Sequence, residues 1–369
     1  MDTSELVPNL TPADALLAEH VNPSYSDSVL IWGVGNGALP DIIAAHGNPA
    51  RTMAVDRNVV TLDQAARNSN EIVFRRPVFL STVELRSKVP PAFFSLALVN
   101  IGYSASDDAL AADLARIGTL LRAGGTIFVV GPKNKGIDST GKELERIFGA
   151  AQLVAYKKGQ RLYAATRTEE YIPPEPPAEL EVEIEVRGQR LMLRERPGVF
   201  ARGLLDPATA MLAEAMLVRN ADSVLDLGCG SGILGMVAAH LSDVGDVLMT
   251  DADIEAVELA RLNVERNAIR NATVVAGDGA FPVRYRQFDV IVTNPPFHQG
   301  REQTTATAAR FIDHAATVLR SDGIFYLVAN RFLKYEPKLG EYFREVREVA
   351  GDGRFKVLEM RGPKRGEEL

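Results

Sequence analysis

The chain lacks most features of secreted, membrane and metal-binding proteins. Cys229 is its one cysteine in 369 residues, which excludes an internal disulfide and predicts a reducing, cytoplasmic location. No apolar run approaches the ~20 residues of a membrane span, and the N-terminus does not resemble a signal peptide. The five histidines are scattered, and no His/Cys pair has metal-ligand spacing, so no metal site is predicted.

Excess positive charge is also lacking. The net charge is −7, which excludes a uniformly basic nucleic-acid coat. Local basic segments nevertheless occur, at 74–77, 131–136, 155–161, 284–286 and 361–365. Binding to RNA through such segments would be local and strongly weakened by salt. Each segment could equally be an ordinary solvated face.

A proline- and glutamate-rich stretch, EEYIPPEPPAELE at 169–181, divides the chain. It predicts a linker between a first domain at 1–168 and a second at 182–369. After it, an alternating pattern with a turn at Arg187 and Gly188 predicts a β-hairpin, and Asp206 is a candidate N-cap of a helix. From 223 onwards strands alternate with helices, which predicts an α/β fold with a parallel sheet covered on both faces.

The two halves repeat one pattern. SVLIWGVGNGALP (28–40) matches SVLDLGCGSGILG (223–235), and Asp56 in MAVDRN matches Asp251 in LMTDAD at the same offset of 195 residues (228 − 33 and 251 − 56). FSLALVN matches FDVIVTN, which aligns Asn100 with Asn294. These matches predict an internal duplication, with two copies of one Rossmann-like domain.

The second copy carries a glycine-rich loop flanked by acids. In an open parallel sheet, a ligand binds beyond the carboxyl ends of the strands. Asp226 could receive an amino group, Asp251 both hydroxyls of a ribose, and Asp278 an adenine amino group, which together describe S-adenosylmethionine. Alternatively, Asp226 or Asp278 could be a turn residue and Asp251 a helix cap. Cys229 is interpreted as a small packing residue. The candidate cofactor-binding residues are Asp226, Gly228, Cys229, Gly230, Gly232, Asp251, Asp278 and Asn294.

The stretch TNPPF follows an apolar strand that must stop at Thr293, because neither proline offers an N–H. The Asn294 side-chain carbonyl and the Pro295 backbone carbonyl could accept both hydrogens of a planar amino group. The lone pair on its nitrogen would then be localised for attack on a sulfonium methyl. Phe297 could stack on the target base. The alternative is a structural proline turn with a buried phenylalanine.

LDLGCGSG, TDAD and NPPFH resemble the motifs of class I methyltransferases acting on planar amino nitrogens. Within that class the chain is similar to the bacterial ribosomal RNA guanine-N2 methyltransferases, both the small-subunit methyltransferase C type and its large-subunit relative. PGVFARGLLDPAT, LVANRFLKY and GRFKV extend the similarity. The resemblance implies two methyltransferase-like domains, S-adenosylmethionine as cofactor, guanine N2 as acceptor, and ribosomal RNA or an assembled ribosomal subunit as partner. We expect a monomer. Phe200, Arg202 and His298 are candidate substrate-binding residues; His298 could contact the base or a phosphate, or it could cap a turn.

The first copy departs from this pattern. Ile31 stands where Asp226 stands in the second copy, and Ile101, Gly102 and Tyr103 replace the prolines and the phenylalanine. This predicts a degenerate domain without catalysis that docks RNA or supports the second domain. Its remaining glycines leave open the binding of an adenosine-like ligand.

Other functions stay open at this point. The acceptor could be a protein glutamine amide or an adenine amino group, or the protein could be a non-catalytic RNA-binding assembly factor. Retention of the whole N-P-P-F motif argues against the assembly factor. The sequence does not determine which guanine or which ribosomal subunit is modified.

Overall fold

The structure, a computed structural model, describes residues 10–69, 76–104, 106–174, 179–199, 205–296 and 301–364, without the side chains of 301–305. The chain divides into two compact units, Met1–Ala178 and Glu179–Leu369. The division falls inside the stretch 169–181. No helix in these described ranges is long and apolar enough to cross a membrane.

The first unit alternates strands and helices. Its strands are β1 (Val29–Trp32), β2 (Thr52–Asp56), β3 (Val78–Ser81), β4 (Phe94–Asn100), β5 (Leu121–Pro132), β6 (Gln152–Lys157) and β7 (Gln160–Thr166). Its helices are α1 (Pro12–His20), α2 (Ala38–His46), α3 (Val59–Asn68), α4 (Thr82–Lys88), α5 (Asp107–Leu120) and α6 (Ile137–Phe148). The strands form one sheet in the order β3-β2-β1-β4-β5-β7-β6.

The second unit has the strands β8 (Leu180–Val186), β9 (Gln189–Glu195), β10 (Val224–Leu227), β11 (Val247–Asp251), β12 (Ala272–Ala276), β13 (Phe288–Thr293), β14 (Leu319–Asn330), β15 (Phe343–Gly351) and β16 (Phe355–Pro363). Its helices are α7 (Pro207–Ala215), α8 (Ile233–Leu241), α9 (Ile254–Arg266), α10 (Arg301–Val318) and α11 (Glu336–Tyr342). The main sheet has the order β12-β11-β10-β13-β14-β16-β15.

The two main sheets have the same topology, which confirms the tandem α/β fold. In each, the first five strands run parallel, and the last two form an antiparallel pair at one edge. The chain starts each sheet in the middle, at β1 or β10, and later continues on the other side with β4 or β13. This reversal of strand order creates a crevice at the carboxyl ends of the strands.

Alternation along β10 decides what its side chains face. Leu225 and Leu227 pack with α10 and α11 on one face of the sheet, and Val224 packs with α7, α8 and α9 on the other. Successive side chains of a strand point to opposite faces, so Asp226 lies on the α8 side. The predicted acid is therefore set into the core, below the glycine-rich loop.

The hairpin β8–β9 packs on α9. Its turn residues Arg187 and Gly188 both have positive φ, as the predicted two-residue turn requires. Two asparagines, one in α9 and one at its C-cap, satisfy the backbone of β9: Asn263 accepts from the Arg194 N–H (2.8 Å), and Asn267 accepts from the Met192 N–H (2.9 Å). The hairpin begins at Leu180, inside the stretch predicted to be linker.

Candidate methyl-transfer site

The predicted site residues of the second unit come from neighbouring strand ends. β10 leads into the glycine-rich loop, its neighbour β11 ends at Asp251, and its other neighbour β13 ends just before Asn294. Because these strands are parallel, their carboxyl ends share one edge of the sheet. The fold thus brings the loop, Asp251 and Asn294 to one crevice.

The glycine-rich loop is held against β11. The N–H groups of Gly228 and Cys229 both donate to the Thr250 carbonyl, at 2.8 and 3.0 Å. Gly228 has φ +72°, and a Cβ added there would lie 2.9 Å from the ring of Phe311. Only glycine fits here, because it adopts a positive φ readily and has no Cβ to clash with the ring. Gly232 is the N-cap of α8, so the helix N-terminus faces the crevice.

Asp226 is almost fully buried, with 1% of its surface exposed. Its Oδ2 accepts from the Gly235 N–H of α8 (2.8 Å), while its Oδ1 is buried without a hydrogen-bond partner among the described residues. Burial, reinforced by the nearby Asp251 charge, raises the pKa of Asp226 to about 7. A carboxylate in this setting gains from a cationic partner, so the residue fits a role in receiving an amino group.

Cys229 is the other titratable group of the loop. Burial, followed by the charges of Asp251 and Asp226, raises the pKa of its thiol well above the ordinary value. The thiol therefore stays protonated at neutral pH and is a poor nucleophile. This agrees with its interpretation as a packing residue.

Asp251 is fixed by two backbone donors. Its Oδ2 accepts from the Gly230 N–H and its Oδ1 from the Asp253 N–H, both at 2.9 Å. The N-cap of α9 is Asp253, whose side chain accepts from the Glu255 N–H (3.0 Å). Asp251 is thus not the cap of α9, and its carboxylate ties the glycine-rich loop to the end of β11. Its contact with a ribose stays a prediction.

Asp278 lies in the turn after β12 and pairs with a residue that the sequence did not single out. Its Oδ1 is 3.0 Å from Nε of Arg310 on α10. One turn further along α10, the Nδ1 of His314 accepts from the Ala280 N–H (3.2 Å). Burial lowers the pKa of His314, so the ring is neutral at pH 7 and carries its proton on Nε2. No motif indicated Arg310 or His314, and the adenine contact of Asp278 stays a prediction.

The Asn294 amide has a defined orientation. Its Nδ2 donates to Asp206 Oδ2 (3.0 Å) and to Thr209 Oγ1 (2.8 Å). The carboxylate can only accept, which identifies the nitrogen of the amide. The Oδ1 of Asn294 is buried and has no hydrogen-bond partner among the described residues. Pro296, two residues on, has no N–H to offer it.

The same position in the first unit is arranged differently. Asn100 also donates its Nδ2 to a carboxylate, Asp14 Oδ1 (2.8 Å). Its Oδ1, however, accepts from the N–H of Gly102 (2.9 Å), the residue that corresponds to Pro296. The asparagine of the first unit has thus used its acceptor locally, whereas that of the second unit keeps it available.

Tyr103 lies on the glycine loop of the first unit. Its hydroxyl donates to Asp14 Oδ2 (2.5 Å). A Cβ added at Gly33 would lie 2.9 Å from the Tyr103 side chain, and one added at Gly35 would lie 2.5 Å from its hydroxyl oxygen. The tyrosine therefore covers the backbone that a cofactor would approach in an active copy.

Both units match one family. The family model described as "Methyltransferase small domain" matches residues 9–164 and 190–359. The chain belongs to the methyltransferase small domain family. The two matched ranges correspond to the two sheets, so the duplication inferred from the sequence is a tandem pair of domains of this family.

Curated proteins and a solved structure resemble a large part or nearly all of the chain. Ribosomal RNA small subunit methyltransferase C of Pseudomonas aeruginosa is 33% identical over 248 residues, covering 64% of this chain and 71% of that protein. Ribosomal RNA large subunit methyltransferase G of Streptomyces avermitilis is 30% identical over 355 residues, covering 94% and 91%. The solved structure of a T. thermophilus 16S rRNA N2 methyltransferase (RsmC), in complex with AdoMet and guanosine, superposes with a TM-score of 0.79 at 25% identity. The superposition covers 96% of this chain and 92% of that one.

Four predicted residues fall outside the described ranges: Phe200, Arg202, Phe297 and His298. Their roles stay predictions. Within the described ranges, no cluster of three or more His, Cys, Asp or Glu side chains could hold a metal ion. Asp206 and Thr209 are site residues whose contact with Asn294 no motif indicated, although the DPAT motif had marked Asp206 as a helix cap.

Proposed function

We propose that the chain transfers the methyl group of S-adenosylmethionine to the exocyclic N2 of a guanine in ribosomal RNA, with 16S RNA as the substrate. The observation that carries the proposal is the Asn294 amide, whose buried oxygen has no partner among the described residues while its nitrogen is held by two acceptors. The named relatives support the class of substrate, because they are ribosomal RNA methyltransferases. The solved relative, which contains AdoMet and guanosine, supports the cofactor and the base.

The residues of the second unit fit this cofactor. S-adenosylmethionine supplies, when bound, an electrophilic methyl group on a sulfonium sulfur. Asp226 would hold its amino group, since Oδ1 is buried and lacks a described partner. The glycine-rich loop lets the backbone approach it closely, and Asp251 would accept from the ribose hydroxyls. These three contacts are part of the proposal.

Asn294 acts on the acceptor nitrogen. A planar amino group is a weak nucleophile, because its lone pair is delocalised into the ring. The Asn294 oxygen and the Pro295 carbonyl would accept its two hydrogens, which favours a tetrahedral nitrogen with a localised lone pair. Catalysis of this kind depends on positioning and on preorganised acceptors rather than on a covalent intermediate. Phe297 would stack on the base.

The test is transfer of a labelled methyl group to 16S RNA and to assembled small subunits from a strain lacking this gene, followed by nucleoside analysis. We expect label in N2-methylguanosine. Asn294→Ala should lower kcat by about 100-fold, while the dissociation constant for S-adenosylmethionine changes little. The matched control is Asn100→Ala in the first unit, which should keep full activity. Label in protein or in N6-methyladenosine would contradict the proposed acceptor.

We propose that the first unit docks RNA. The hairpin between β6 and β7 exposes an aromatic side chain: Tyr156 is 62% exposed, and the Arg161 guanidinium, which also pairs with Asp138, lies 5.8 Å from the centre of its ring. Lys158, at the turn, is also exposed. Such a surface can bind phosphate and stack on a base. Tyr156→Ala combined with Lys158→Ala should weaken RNA binding at low salt and leave the S-adenosylmethionine affinity unchanged; an unchanged RNA affinity would contradict this role.

A cytoplasmic location and a monomeric state are the remaining parts of the proposal. The single cysteine supports the first. Light scattering of the purified chain would test the second.

A further inference from the structure

We infer that Asp206 and Thr209, at the start of α7, are positioning residues that hold the Asn294 amide with its oxygen toward the acceptor nitrogen. This inference rests on the proposed function. It begins from the fact that an asparagine amide has two orientations of similar shape, related by a half-turn about its terminal bond. In one orientation an acceptor faces the substrate amino group, and in the other a donor does.

The contacts at α7 select one orientation. Asp206 Oδ2 and Thr209 Oγ1 both accept from Asn294 Nδ2. Thr209 Oγ1 also donates to Asp206 Oδ2 (3.1 Å), so its proton is engaged and its lone pair is directed at the amide. A flipped amide would place its oxygen against a carboxylate, which has no proton to share. The flipped state is thereby disfavoured before substrate binds.

Asp206 also caps α7. The same Oδ2 accepts from the Thr209 N–H (2.8 Å), as an N-cap does. One oxygen therefore connects the helix start to the end of β13. Because α7 packs into the core beside the sheet, this connection fixes the position of Asn294 relative to the sheet as well as the rotation of its side-chain amide.

The first unit supplies an internal comparison. There the helix start reads TPAD instead of DPAT, so the threonine is the cap and the aspartate follows three residues later. Asp14 still accepts from the Nδ2 of Asn100. In both copies a carboxylate at the start of a helix thus orients the asparagine amide. Among the described residues, the amide oxygen lacks a partner only in the second copy, which has the prolines.

Two variants separate positioning from capping. Asp206→Ser keeps a good N-cap but is too short to reach Asn294, and Asp206→Asn keeps both the cap and an acceptor for the amide. We expect Asp206→Ser to lower kcat by about 10–100-fold, with KM values and thermal stability little changed, and Asp206→Asn to restore most of kcat. Thr209→Val, which removes the second acceptor at constant shape, should lower kcat less. Asp14→Ser is the matched control and should leave kcat unchanged.

A readout that does not depend on turnover accompanies these assays. In the wild-type protein the two side-chain protons of Asn294 should give resolved NMR signals with slow hydrogen exchange. Asp206→Ser should shift these signals and speed their exchange, while Asp206→Asn should not.

The outcomes are distinct. Wild-type kcat in Asp206→Ser, or unchanged Asn294 signals, would overturn the inference. A loss of kcat that tracks a loss of thermal stability in both Asp206 variants would also overturn it, by assigning Asp206 to capping alone. If the wild-type chain methylates no RNA, the proposed function fails, and the NMR comparison still decides whether Asp206 orients Asn294.

Discussion

The variant Asp226→Asn tests how much the burial of an ionised carboxylate lowers the stability of the second unit. The wild-type carboxyl is 1% exposed, and its pKa is raised to about 7 from an ordinary value of 3.8. An asparagine can keep the hydrogen bond from the Gly235 N–H through its own oxygen, and it carries no charge. We therefore expect this variant to be more stable than the wild type in the absence of cofactor at pH 8.

The magnitude follows from the pKa shift. Each pKa unit corresponds to about 1.4 kcal/mol. A rise from 3.8 to about 7 therefore lowers the free energy of unfolding of the wild type at high pH by at most about 4 kcal/mol. The folded state holds the proton more tightly than the unfolded chain. The wild type should therefore lose stability between about pH 4 and pH 7, with the loss complete above pH 7. The variant should lack this loss.

Urea unfolding at pH 5 and pH 8 measures both effects. The control is Asp243→Asn, since Asp243 is exposed in the same unit. The advantage of Asp226→Asn should be about 4 kcal/mol at pH 8 and less than half of that at pH 5, and the control should resemble the wild type at both. Equal stability of Asp226→Asn and the wild type at pH 8 would refute the reasoning.

Cofactor affinity should change in the opposite direction. A cationic amino group prefers the ionised carboxylate, so binding of S-adenosylmethionine to the wild type should release a proton near neutral pH. Its affinity should fall as the pH drops below about 7. Asp226→Asn should bind more weakly at pH 8, as measured by calorimetry. A gain in stability without a loss of affinity would contradict the assigned contact.

Three further predictions concern the turn after β13 and the glycine-rich loops of the two units. Pro296→Ala would give Asn294 Oδ1 a local donor worth about 1 kcal/mol, so kcat should fall by about fivefold in the label-transfer assay, with cofactor affinity unchanged. Because Tyr103 covers its loop, equilibrium dialysis should find one bound S-adenosylmethionine per chain, and saturation at two would contradict that interpretation. Gly228→Ala places a Cβ 2.9 Å from the Phe311 ring at φ +72°, so thermal unfolding should show a loss of at least about 1–2 kcal/mol; an unchanged melting temperature would speak against it.

Local sequence patterns determined the architecture of this protein. Alternating strands and helices, the glycine-rich loop and its shared offset of 195 residues with the acid that follows (228 − 33 and 251 − 56) predicted two copies of one α/β domain, and both sheets have that topology. These features are readable because backbone geometry depends on near neighbours: glycine permits positive φ, and two prolines stop a strand at Thr293. The lack of a backbone N–H at Pro296 could also be read from the sequence, since it is a property of the proline residue itself.

Tertiary structure alone decided how the site residues are held. Asn294 meets Asp206 and Thr209 across 88 and 85 residues of chain, and Asp278 meets Arg310 on α10. Tyr103 reaches Gly35 in the same way, by folding back over the loop. Hydrogen bonds and ion pairs between distant segments depend on distances of a few tenths of an ångström, which no local pattern encodes. The residue types of the site were therefore predictable, whereas the orientation of the Asn294 amide required the packed fold.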